Sequence, residues 1–238
     1  MAQIEVRQKE NEFTLSHKRI LLGLVQKDLL VSRKYLLYAC LYGLLMSFLF
    51  RDALTSMAAT TTAMVYIVFM TLLAYEDKYK ADILFNTLPI DRNHIILGKY
   101  LIGLICFLIS IPISLCSRFI ADAVFARHQG EPFIPALPSL LLPATAICFL
   151  ISQLHVSISL PVYYRFGYAK SRIASLLFFL LFFLGLQILF TIPVGLAILA
   201  YLERQKVNQL SLVLYALGLV IDFIGYLITR QIYRKLDL

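Results

Sequence analysis

Tryptophan is absent from the 238 residues, and charge is scarce: Asp, Glu, Lys and Arg make up 15%, against about 25% in a soluble chain. So little charge excludes a water-soluble enzyme and a disordered chain. Cysteine is limited to Cys40, Cys106, Cys116 and Cys148, all inside apolar runs. They make no CxxC pair and no metal-ligand spacing, so a disulfide-stapled module and a thiolate metal site are excluded, and the four read as small core hydrophobes. The chain holds no GxxxxGK[ST] loop, no HExxH, no GxSxG and no paired-Glu motif of an intramembrane protease. ATP binding by a P-loop and zinc- or serine-dependent hydrolysis therefore have no residues here to carry them. His17, His94, His128 and His155 are scattered through different segments.

What is present is hydrophobic length. Apolar and aromatic residues make up 60% of the chain, and the mean hydropathy is +0.80. A membrane-spanning helix takes about 20 mostly apolar residues. Six charge-poor runs fit: 35–50, 53–75, 100–117 (starting near Ile95), a run from Pro132 that ends near Tyr164, 173–202, and 210–229 with Asp222 inside it. The expected fold is an all-α integral membrane protein with six transmembrane helices. Residues 1–18 form a polar extension, too polar for a cleaved leader, and residues 19–238 form a single six-span domain. Within the latter, residues 19–34 mix Arg19, Lys27, Asp28, Arg33 and Lys34 with Ile20, Leu21, Leu24, Leu29 and Leu30. That pattern predicts an amphipathic helix lying in the membrane interface ahead of span one.

The 22 Lys and Arg against 14 Asp and Glu give a net charge of +8. In a membrane protein such an excess reads as basic loops held on the cytoplasmic side, not as a nucleic-acid surface. With a cytoplasmic N-terminus, 17 of the basic residues fall in cytoplasmic segments and five outside. Both termini are then cytoplasmic, which requires an even number of spans and agrees with six. Pro112, Pro143, Pro161 and Pro193 lie in or beside spans, as static kinks or as hinges.

The longest cytoplasmic connection, YEDKYKADILFNTLPIDRNHIILGKYL, runs from Tyr75 to Leu101. Glu76–Lys80 and Lys78–Asp82 are opposite charges four apart, which predicts a short helix. It would place Tyr75, Tyr79 and Ile83 on one face and Leu84 and Leu88 on an adjacent one. Pro89 ends it, and Asp91 caps a second helix that starts at Arg92 and enters span three. Such a connection is either a solvated linker or a docking knob for a cytoplasmic partner.

In this order of parts the chain resembles the membrane subunits of type-2 ATP-binding cassette (ABC) transporters, in the short six-span branch. The resemblance rests on Lys27, Asp28 and Leu29; on Glu76, Asp77 and Lys78; on Leu88, Pro89, Ile90, Asp91 and Arg92; and on Gly98, Lys99 and Tyr100. The polar first 18 residues depart from that pattern. The resemblance implies that residues 77–93 form a cytoplasmic coupling helix between spans two and three. Tyr79, Ile83, Leu84, Leu88, Pro89 and Arg92 would fit a groove on a separate ABC ATPase subunit, with ATP and Mg on that partner and no cofactor on this chain. It also implies a second permease chain, identical or homologous, and a cargo such as a peptide toxin of the phenol-soluble modulin kind, an antimicrobial peptide or another amphiphile. The setting would be the bacterial cytoplasmic membrane. The short basic loop Arg165–Arg172 is a secondary contact or plain positive-inside charge.

Three polar residues inside spans stand out: Asp222 in the last, His155 in the fourth and Gln187 in the fifth. An ionised carboxylate at mid-membrane costs at least about 2.5–3.5 kcal/mol, so Asp222 must face the bundle, pair or stay protonated. These residues mark a translocation path or proton relay, or else simple interhelical hydrogen bonds. The first reading opens an alternative function, a proton-coupled secondary transporter. A non-transporting assembly protein is the third. Arg118 and Asp122, four apart, predict a local ion pair. Residues 56–64, SMAATTTAM, predict a close-packing surface on span two.

Overall fold

The structure, a computed structural model, describes residues 2–50, 53–81, 92–129, 141–191 and 207–235. Among them are six helices and no strand: α1 (Ala2–Leu49), α2 (Ala53–Lys78), α3 (Arg92–Gln129), α4 (Leu141–Phe166), α5 (Tyr168–Thr191) and α6 (Val207–Arg234). In hydrocarbon every backbone N–H and C=O must be satisfied internally, so long Leu-, Ile- and Phe-rich runs become helices. Five are long and apolar enough to cross a membrane: Leu21–Leu49, Thr55–Lys78, Asn93–Phe125, Leu142–Phe166 and Gln209–Arg234. The helix α5 supplies the first part of the fifth expected span, and the remainder, 192–202, lies outside the described residues.

Successive helices alternate in direction. Tyr164 near the end of α4 packs on Tyr233 near the end of α6, with ring centroids 4.7 Å apart, and Phe149 near the start of α4 packs on Tyr215 near the start of α6 at 5.2 Å. One end of the bundle therefore carries the ends of α2, α4 and α6 and the starts of α3 and α5. The helix α2 is the centre and packs on α1, α3, α4 and α5. Residues 56–65 on it are all buried, so the small-residue run expected there packs inside the protomer. Gly43 shows why small size matters. A Cβ at Gly43 would sit 2.7 Å from Thr60 Cγ2, so α1 and α2 approach closely only because that position is bare.

Four boundaries differ from the sequence reading. The interfacial helix expected over 19–34 is not separate from span one, because α1 is uninterrupted to Leu49. Its buried stripe, Val25, Asp28, Ser32, Ala39, Gly43 and Ser47, keeps to one face straight through Lys34, so nothing asks the helix to break. The first residues of the helix expected after Tyr75, through Lys78, belong to the last turn of α2, where Glu76 faces the bundle instead of pairing with Lys80; the rest of that expected helix, from 82 on, lies outside the described residues. Lys80 itself takes a left-handed backbone, φ 48°, and turns the chain out of α2. The loop Arg165–Arg172 shrinks to Gly167 alone, at φ 84°, whose N–H reaches the Tyr163 carbonyl at 2.8 Å. A helix ending in a left-handed glycine reverses in one residue. Finally, α3 continues past Ser117 to Gln129. Arg118 and Asp122 neutralise each other at 2.7 Å as expected, and Arg118 also donates to the Phe50 carbonyl at 3.2 Å.

Candidate functional site

Three charges that the sequence places in separate segments meet inside the bundle. Asp28 of α1, Glu76 of α2 and Lys99 of α3 are 3%, 6% and 3% exposed. The Lys99 ammonium donates to Asp28 Oδ2 at 2.8 Å and to Glu76 Oε1. Lys27, half-exposed on the same turn of α1, brings its ammonium within 3.1 Å of Asp28 Oδ1 and 3.4 Å of Glu76 Oε1. Two carboxylates against two ammoniums leave no net charge. Buried ions need that balance, because removing one partner strands the other at a cost of about 3–5 kcal/mol.

The arrangement clamps three helices at one level. Nearby, Tyr35 and Tyr75 share a hydroxyl hydrogen bond of 3.0 Å, again joining α1 to α2. The clamp sits where α2 ends and α3 begins, so it holds both helices that flank residues 79–91.

The expected coupling residues relate to this clamp as follows. Tyr79 is 67% exposed at the exit of α2, its ring stacked on Tyr75 at 5.9 Å with the Lys78 ammonium over it at 5.6 Å. Arg92 opens α3. Ile83, Leu84, Leu88 and Pro89 lie outside the described residues. Sequence reasoning assigned Lys27 and Lys99 to cytoplasmic surface charge and missed the clamp. The sequence reading puts Lys27 and Asp28 in an interfacial helix and pairs Glu76 with Lys80, so it keeps these charges apart.

Of the residues expected along a translocation path, Asp222 and His155 make no direct contact among the described residues. Asp222 of α6 is 8% exposed and accepts a hydrogen bond from Ser157 of α4 at 3.0 Å; its Oδ2 has no partner among the described residues. His155 lies two residues from Ser157, a step that carries it to another face of α4. It packs among Tyr66 and Phe69 of α2 and Phe178 and Phe179 of α5, with both ring nitrogens unpartnered. Gln187 is on α5, and its side chain is outside the description. Asp222 belongs to a polar seam between α4, α6 and α3, continued by the Tyr100–Thr229 hydroxyl pair at 3.1 Å. A Cβ at Gly225 would lie 2.8 Å from both Ser157 Oγ and the Tyr100 hydroxyl, so the seam closes only around a glycine.

Five helices long and apolar enough to cross a membrane, clamped by buried charges at one end, make a multi-pass membrane bundle. The model of the ABC-2 family transporter proteins matches residues 23–234, and the chain belongs to that family. It is thus a multi-pass membrane permease component, a part that is not itself catalytic and whose family implies an ABC ATPase partner. Comparisons with curated proteins and with solved structures returned no match.

Proposed function

We propose that this chain is the permease of an ABC exporter and that residues 79–92 form the element through which a separate ATPase drives it. Two permease chains pair with two ATPase chains, the termini and the 79–92 segment lie on the cytoplasmic side, and the cargo is a peptide or another amphiphile. The observation that carries this reading is the Asp28–Glu76–Lys99 clamp. It ties α1 to the two helices bracketing the segment, so a push on the segment moves a rigid unit of three helices. Asp222 bonds Ser157 and not His155, so the proton-relay alternative gains no support from a direct contact between the two.

The test is co-purification from detergent with a co-expressed ABC ATPase subunit from the same genome. Wild type is expected to retain the ATPase. Leu88→Asp is expected to release most of it while the permease keeps its thermal midpoint, and Pro89→Ala to retain it with weakened stimulation of ATP hydrolysis. Equal retention by wild type and Leu88→Asp would refute the proposed coupling segment.

A further inference from the structure

A second polar feature, apart from the clamp, lies at the same end of the bundle. A cleft of about 380 Å³ opens there between the ends of α4 and α6, lined by Arg165, Gln231, Ile232 and Lys235. Lys170, from the start of α5, adds a third cation: its ammonium lies 5.1 Å from the centre of the Phe166 ring, and the Arg165 guanidinium lies 5.2 Å from the same ring. Among the described residues no carboxylate pairs with Arg165, Lys170 or Lys235. The clamp and the Arg118–Asp122 pair, by contrast, are neutralised from within. Like charges gathered around an open cleft are relieved by an anion.

The surroundings say which kind of anion. The outward face of α6 steps through Leu217, Val220, Ile224 and Ile228, all 45% exposed or more, and then changes to Gln231 and Lys235 at the same helical spacing. That is an apolar surface for acyl chains ending, within one turn, in a basic cleft. Phe166, 50% exposed, stands beside it at the level where aromatic rings border lipid headgroups. The tilted Tyr164–Tyr233 ring contact, next to Arg165 on α4 and Ile232 on α6, sets the spacing of the two helices there. We propose that this cleft is a binding site for the phosphate headgroup of an anionic phospholipid, held by Arg165 and Lys235 with Gln231 as a further donor, and that the lipid's chains lie along α6. Basic pockets between membrane helices hold such headgroups by the same chemistry.

The test uses the full chain purified in mild detergent and does not depend on the ATPase. Bound lipid is counted by native mass spectrometry after exchange with an equimolar mixture of phosphatidylglycerol and phosphatidylcholine. Wild type is expected to retain phosphatidylglycerol about tenfold over phosphatidylcholine. Arg165→Gln/Lys235→Gln is expected to lose most of that preference, whereas Arg33→Gln/Lys34→Gln, an equal charge loss on exposed positions of α1, keeps it. No preference in wild type, or an equal loss in the α1 pair, overturns the proposal. Because wild type alone can refute it, a misfolded double variant does not protect it. Inorganic phosphate is the second arm: displacement of the lipid by phosphate at millimolar concentration means a free-anion site and contradicts the lipid assignment. Loss of ATPase co-purification in the double variant with lipid retention unchanged would make the cleft a protein contact instead.

Discussion

Lys99 is the residue on which the clamp turns. In Lys99→Met two buried carboxylates face each other without their shared cation, at a cost of about 3–5 kcal/mol. For a chain of this size that corresponds to a fall of roughly 10 °C in thermal midpoint. Adding Asp28→Asn and Glu76→Gln to Lys99→Met removes the stranded charges and is expected to recover most of the loss. Cys106 and Cys148 are buried, so a thiol-reactive dye followed during heating reports the unfolding. If Lys99→Met alone leaves the midpoint unchanged, the clamp is not closed in the membrane protein. The sequence shows each of these charges at the border of an apolar run. It cannot show that they meet, because 71 residues separate Asp28 from Lys99 and only packing sets the relative rotation of three helices.

At the scale of the helices, the existence of most elements was legible and their faces were not. A helix that is apolar nearly all round gives no moment to read. The signal was there in inverted form. Ser47, Ser56, Thr60, Thr61, Thr62, Ser159, Ser171 and Ser175 are all buried, while Leu37, Leu41, Leu45 and Leu181 are exposed. In a bilayer leucine loses nothing by facing lipid, whereas a hydroxyl gains a bond by facing another helix, as in the Ser159–Ser175 pair at 2.8 Å. The missed boundaries have similar causes. Charges at Lys27, Asp28 and Glu76 that suggest an interface or a loop are spent internally, and a single glycine replaces a loop. Gly167→Ala forces a side chain into the left-handed region and is expected to lower the midpoint by a few degrees. Gly225→Leu should cost more, since it presses on Ser157 and Tyr100 at 2.8 Å and pushes α6 off α4. A midpoint for Gly225→Leu equal to wild type would mean that α6 does not pack there.

For the whole molecule, the alternation of helices makes a statement about sidedness. Tyr79 and Lys235 lie at one end and Asp122 toward the other. Single cysteines at positions 79 and 235, in a background without the four native ones, are expected to react with an impermeant thiol reagent only in inverted vesicles. A cysteine at 122 is expected to react only in right-side-out cells. Labelling of 79 and 235 from opposite sides would break the six-span topology. Which end faces the cytoplasm is predicted by the distribution of basic residues, because loop charge follows membrane orientation whatever the internal packing; placing Lys99 in the interior leaves that prediction's excess of basic residues on the same end.

Coupling through residues 79–92 is most directly tested by cross-linking in intact membranes. A photoactivatable side chain is placed at position 79, and in a separate variant at position 122, with an ABC ATPase subunit from the same genome co-expressed and ATP either present or depleted. The expected result is an adduct of permease plus ATPase from position 79, changing in yield with ATP, and none from position 122. An adduct from 122, or none from 79 while the two proteins still co-purify, would place the ATPase elsewhere and contradict the coupling role of this segment.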